Sequence, residues 1–292
     1  MDTEIAYSNF TAFAYMVIED VLTTPSHLNL FKFDTINGLR TISLKPAYRN
    51  VLSGKVTLPL KDKDGNFIQA IGESGFALID KITHIYFEKN NNYESQYTTI
   101  QDRAFYNYDG RVKNSILNTV VLPESIKYIK DNAFFAQRNL ININLPDSIV
   151  EIGQQAFHAS IESGSMQLNI SKLPANLTEL GQGAFYKAGR NFTVSSIPKG
   201  VKTLNGNTFA FCPMVVISSF GSQDGDGLVS IGGYDFYAAG TEAIPPASVS
   251  FYNSVSDVQV ETAFANSSYL SKVENIYIYN VSLWNTVEQY GI

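Results

Sequence analysis

LININLPDSIVEIGQQAF, residues 140–157, holds two patterns in one stretch. Its first part places Leu140, Ile143 and Leu145 among polar residues and closes on Pro146. Such a run favours a β-strand, and proline, which has no N–H, ends the ladder. Its second part, IGQQAF at 152–157, is an aliphatic residue, usually Gly or a polar residue, two more, a small residue and Phe. That second part recurs as IGESGF (71–76), IQDRAF (100–105), IKDNAF (129–134), LGQGAF (180–185), LNGNTF (204–209) and IGGYDF (231–236), with a degenerate VETAF at 260–264. The repeat phenylalanines are Phe76, Phe105, Phe134, Phe157, Phe185, Phe209, Phe236 and Phe264, at spacings of 29, 29, 23, 28, 24, 27 and 28 residues.

The strand run keeps phase with it. Pro123, Pro146, Pro174 and Pro198 each precede a repeat Phe by eleven residues, after SILNTVVLP, NLININLP, MQLNISKLP and NFTVSSIP. Further strands are expected in ITHIYFE (82–88), MVVISSF (214–220), ASVSFYN (247–253) and VENIYIYN (273–280). A unit this short, with one strand, cannot bury its own apolar face, but stacked units can. The expected fold is a repeat solenoid of about eight coils around a parallel β-sheet about 40 Å long. The aliphatic, small and Phe positions should form ladders through the core, and the Gly after the aliphatic should serve a tight bend.

Composition agrees. Charged residues are 16% and aromatics 13%, which excludes both a disordered chain and a helical bundle. A net charge of −6 argues against nucleic acid or an anionic membrane as partner. No apolar run reaches the length of a membrane span, so no membrane insertion is expected. Asp2 and Glu4 stand where a standard secretory signal carries Lys or Arg. The single Cys212 leaves no internal disulfide and reads as a buried thiol.

With these motifs in place, the chain resembles the BspA-like, or Treponema pallidum type, leucine-rich repeats, whose units read roughly L-x-x-I-x-I-P-x-x-[VL]-x-x-I-G-x-x-A-F-x-x-C. Residues 140–157, 192–209 and 117–134 match closely, and the likeness spans about residues 56–280. The family's Cys after Phe is met only at Cys212. The resemblance implies a curved leucine-rich solenoid used for interaction, of the kind found in surface adhesins of oral and gut bacteria, in proteins of anaerobic protists and in viruses of such hosts.

Three segments are therefore expected: a small α+β head at 1–50 acting as cap or attachment segment, the solenoid at 51–280, and a C-terminal cap at 281–292 with Trp284. Within the head, Phe10 to Leu22 reads as a helix and residues 31–44 as a hairpin turning at Asn37-Gly38. His27, His84 and His158 share no ligand or catalytic spacing. DKDGN (62–66) and DGDG (224–227) read as tight turns and not calcium loops, because Phe67 stands where an EF-hand needs Gly. Sequons at Asn9, Asn169, Asn176, Asn191, Asn266 and Asn280 matter only in a eukaryotic secretory pathway. No catalytic residues, metal or cofactor are expected, and the chain does not read as an enzyme.

Taking the residues one, three and six before Pro as inward, two stripes face outward: Val121, Asn144, Lys172 and Ser196, beside Thr119, Asn142, Ile170 and Val194. Such a nearly uncharged face suits a protein or glycan surface. A change at Asn144 should then cost almost nothing unless it lies on the partner face. Tyr106 and Tyr108 in inserted loops compete for the same role. The function expected is adhesion or recognition, at a cell surface or on a virion after production in the cytoplasm. The alternative is a structural virion component, of phage tail or fibre type, attached through residues 1–50. A homo-oligomer or larger assembly is left open.

Overall fold

The computed structural model describes residues 27–110, 115–159, 166–222, 224–244, 246–252, 254–258, 260–267 and 272–279. The expected helix from Phe10 to Leu22, the segment 281–292 with Trp284, and the sequons at Asn9 and Asn280 lie outside them.

The chain winds as a parallel-sheet solenoid in which each coil supplies two short strands, not the single strand expected. Before the first full coil, β1 (Phe31–Ile36) and β2 (Leu39–Leu44) form an antiparallel hairpin. One row of strands then comes from the leucine-rich runs: β3 (Gly54–Leu58), β5 (Ile82–Phe87), β7 (Thr119–Val120) and β9 (Asn142–Ile143) form a four-stranded parallel sheet. The other row comes from the aliphatic of the Phe motif, in β4 (Ala70–Ile71), β6 (Thr99–Ile100), β8 (Tyr128–Ile129), β10 (Glu151–Ile152) and β11 (Glu179–Leu180). These follow β2 in a seven-stranded sheet. Toward the C-terminal end both rows resume as three-stranded sheets. One holds β12 (Thr203–Leu204), β14 (Ser230–Ile231) and β16 (Asp257–Val258). The other holds β13 (Ser219–Phe220), β15 (Ser248–Phe251) and β17 (Asn275–Ile278). The degenerate VETAF copy begins as a single helical turn, α1 (Val260–Ala263). Among the described residues no helix is long and apolar enough to cross a membrane.

The core is the phenylalanine ladder. All eight repeat phenylalanines are buried, and consecutive rings stack at 4.9 to 6.1 Å with planes within 27° of parallel. Eight rings bound about seven turns. The alanine before the Phe keeps the central coils close: Ala104, Ala133, Ala156 and Ala184 are fully buried. Backbone bonds tie this corner together, since Phe105 N–H donates to Ala133 O at 2.7 Å and Phe157 N–H to Ala184 O at 2.8 Å.

The bend of each coil lies two residues after the position the glycines suggest. The residue two before the repeat Phe takes the left-handed conformation in coil after coil, at Ser74, Arg103, Asn132, Gln155, Gly183, Asn207 and Tyr234, with φ from 51 to 62°. That rotation turns its N–H toward the next coil, as in Arg103 N–H to Asp131 O at 2.9 Å, which offsets the roughly 1–2 kcal/mol the conformation costs an L-residue. Gly153 and Gly181, after the aliphatic, are not left-handed. They are glycines because the preceding coil passes too close: a Cβ on Gly181 would sit 2.3 Å from Gln154 N and 2.4 Å from Gly153 C.

The hairpin turns at Asn37 and Gly38, both left-handed at φ 50° and 79°, as a type I′ turn requires. β2 pairs in parallel with β4, and Phe31 packs 6.2 Å from Phe76, so the hairpin lies at the start of the ladder. DKDGN locks it there. The Asp62 carboxylate accepts Asp64 N–H and Asn66 N–H on Oδ1 and the Arg40 Nε–H, at 2.6 Å, on Oδ2. Its oxygens are committed to a turn and an ion pair.

Candidate interaction surface

The four-stranded sheet carries alternating side chains, so one set lines its outer side. Strand register aligns Lys55, His84, Thr119 and Asn142 in one row. A second row holds Thr57 and Tyr86, with Val121 continuing it through Val121 N–H to Ile85 O at 3.0 Å. Lys55, Val121 and Asn142 are exposed, and Thr57, His84, Tyr86 and Thr119 are half-buried. His84 and Tyr86 stack at 5.9 Å, and burial, then the nearby Lys55, lowers the His84 pKa, so the ring is neutral at pH 7. Asn144 is exposed but not idle. Its Oδ1 accepts Leu122 N–H at 2.6 Å and its Nδ2 donates to Leu122 O at 2.8 Å, so the side chain extends the β7–β9 pairing. Removing it forfeits about 1 kcal/mol per bond, contrary to the neutral effect expected from sequence.

Two residues of the expected stripes face the other way. Ile170 is 5% exposed and Val194 0%, both in the core, while Lys172 and Ser196 are exposed as expected. In LNISKLP and FTVSSIP the inward β-branched residue sits four before Pro, not three, so Ser171 and Ser195 are exposed in its place. Burial of an apolar side chain, not distance from proline, sets the register. An isolated bridge between Ile170 and Phe192 joins these two coils through that inward position. The outward positions here are Asn169, Ser171 and Lys172, then Thr193, Ser195 and Ser196.

Beside β5 and β7 the face opens into a groove of about 770 Å³. Leu60, Phe87, Leu122, Tyr86 and Val121 line it, with Pro123, Glu124 and Ser125 and the inserted segment from Glu88 to Ser95. The insertion is visible in sequence as EKNNNYESQY in a long 29-residue interval, but its partners across the groove are not. Tyr97 anchors it, its hydroxyl buried and donating to Pro59 O at 2.8 Å.

A second feature runs along the coils just past the ladder. Tyr106, Phe135, His158, Tyr186, Phe211 and Tyr237 form a continuous row of half-buried rings at 4.3 to 5.3 Å. Tyr106 and Tyr108 both pack on Phe135. His158 replaces an aromatic hydrocarbon in this row, and burial, followed by the nearby Lys187, brings its pKa down to about 4. Below pH 6.5 the unfolded chain takes up a proton that the folded chain refuses, so this site's stability is full above 6.5 and falls as the pH drops toward 4. His158→Phe should remove that slope and raise stability at pH 4.5 by up to about 3 kcal/mol relative to its effect at pH 7.5, read from urea midpoints at the two pH values.

Burial pushes the Cys212 thiol up to about 12, and its Sγ lies 3.0 Å from Phe185 O, so the group is unreactive at neutral pH. In DGDG, Asp226 pairs with Lys202 at 2.8 Å. Among the described residues no cluster of three or more His, Cys, Asp or Glu is placed to hold a metal ion.

Comparison with known proteins bears on the repeat and its fold. The family model described as BspA type leucine rich repeat region matches in six copies, over residues 98–239 and 135–271. Among solved structures, the T. pallidum leucine rich repeat protein is similar at 21% identity over 90% of this chain and 94% of that one, with a TM-score of 0.53. A leucine-rich repeat protein from Bacteroides ovatus is similar at 18% identity, over 82% of this chain and 61% of that one, also at 0.53. These two likenesses speak to the fold. No curated protein matches the sequence.

Proposed function

The chain belongs to the BspA-type leucine-rich repeat family, and from that premise we propose that it is a non-enzymatic interaction module. It binds a protein or glycan partner, outside the cell or at its surface, through the outer side of the β3–β5–β7–β9 sheet and the adjoining groove. What carries this is the row Lys55, His84, Thr119 and Asn142, an exposed to half-buried polar strip leading into a ligand-sized groove on a rigid stack of coils. Modest contacts spread over such a face, and anchored by aromatics at a groove, suit recognition more than chemistry. The hairpin, at the start of the phenylalanine ladder, would cap the stack.

The test is a selection. The protein is immobilised and offered a displayed random-peptide library and a glycan array. Ligands recovered should lose about ten-fold or more in affinity on Asn142→Arg, which puts a bulky charge on the face, and keep it on Glu179→Arg, on the other sheet. Loss on Glu179→Arg alone, or recovery of no ligand, would overturn the proposal.

A further inference from the structure

We propose that the groove beside β5 and β7 takes an extended segment bearing lysine or arginine side chains, so that the partner is a protein. This rests on the interaction function proposed above and specifies its ligand. Three carboxylates line the groove, Glu88, Glu94 and Glu124, against one ammonium, Lys89. Outside the groove Asp147 is paired with Lys172, Glu151 with Lys130, Asp226 with Lys202 and Glu242 with Arg190, and carboxylates without an ion pair among the described residues, such as Glu73 and Glu179, are not gathered against an apolar groove. Among the described residues neither Glu94 nor Glu124 forms an ion pair, and Glu88 spends one oxygen on Leu60 N–H at 3.0 Å. The groove therefore gathers three carboxylates against one lining ammonium, a local excess of negative charge.

Its walls also match the rest of a basic side chain. Val121, Tyr86 and Pro123 offer apolar surface for an alkyl stem, which keeps its charged head toward the carboxylates. One wall already handles an ammonium this way. Lys61 Nζ lies 4.3 Å from the ring centres of both Phe67 and Tyr93, and Tyr93 is itself a lining residue. Backbone pairing contributes little to capture here, since Leu122 is bonded to Asn144 and Glu88 N–H donates to Leu58 O at 2.8 Å. Selection is by side chains. A neutral oligosaccharide would leave the carboxylate charge uncompensated, whereas two or three cationic side chains would balance it.

The test uses the full chain and three labelled probes: a hexa-arginine peptide, a hexa-glutamate peptide and a neutral hexasaccharide, followed by fluorescence anisotropy. Hexa-arginine should bind and hexa-glutamate should not. Because an acidic protein attracts any polycation, two double variants of equal net charge are compared. Glu94→Gln with Glu124→Gln should weaken hexa-arginine binding about ten-fold or more, and Glu73→Gln with Glu179→Gln less than about two-fold. Equal losses in the two pairs would overturn the groove assignment. Binding of the hexasaccharide alone, lost on Asn142→Arg, would overturn the basic-peptide ligand and leave the interaction function standing. Binding of either probe that is lost only on Glu179→Arg would overturn both.

Discussion

Phe157→Ala should destabilise the protein by about 3–5 kcal/mol, among the larger costs a single truncation can carry. Phe157 is fully buried and stacked between Phe134, at 5.1 Å and 4°, and Phe185, at 5.3 Å and 0°. Relaxation into the cavity is opposed on both sides. Phe134 N–H to Ala156 O and Phe157 N–H to Ala184 O, each 2.8 Å, hold the coils at a fixed separation, so the neighbouring rings cannot close the gap. Because a solenoid is stabilised through nearest neighbours, the loss falls on both adjoining interfaces. Urea unfolding should show a lower midpoint, with a broadened or split transition if the halves uncouple. A cost below about 1 kcal/mol would mean that Phe157 is not in the ladder.

Asp62→Ala should cost a similar amount, about 3–5 kcal/mol, through loss of a buried charge pair and not of packing. The Asp62 side chain is fully buried, the Arg40 guanidinium contacts it at 2.5 and 2.6 Å, and Asn66 and Asp64 donate to the same carboxylate. Burial alone would raise its pKa, but the bonds from Asn66, Arg40 and Asp64 outweigh it and hold the value below 3.8. The part of this contribution that depends on ionisation is thus complete above about pH 4 and disappears as the pH falls through the lowered value. In the variant the turn loses its acceptor and Arg40 is left beside an apolar gap. Amide exchange should accelerate first in β1 and β2. Retention of wild-type exchange there would show that the clamp does not hold the hairpin.

Each part of this architecture was readable to the extent that its cause lies in nearby residues. The Phe ladder repeats one contact, so Phe76 to Phe264 could be assigned from spacing, and the 31–44 hairpin followed from Asn37-Gly38. The second strand row escaped because two residues, such as Glu151–Ile152, carry no period. The stripe failed at Ile170 and Val194 because proline was used as the ruler where burial decides. The groove gathers Leu60, Tyr86, Glu94 and Glu124 from three coils, and no local signal announces that meeting. Several tyrosines left unexplained by the repeat, Tyr106, Tyr186 and Tyr237, occupy the second aromatic row, where each is packed on a neighbouring ring.

The central claim is that partners are held on the outer side of the β3–β5–β7–β9 sheet and its groove. Amide hydrogen exchange with and without a selected ligand, on the intact chain, tests it most directly. Protection is predicted over residues 84–95 and 119–125. Protection confined to the aromatic row, around Tyr186, Phe211 and Tyr237, with none at the groove, would contradict it.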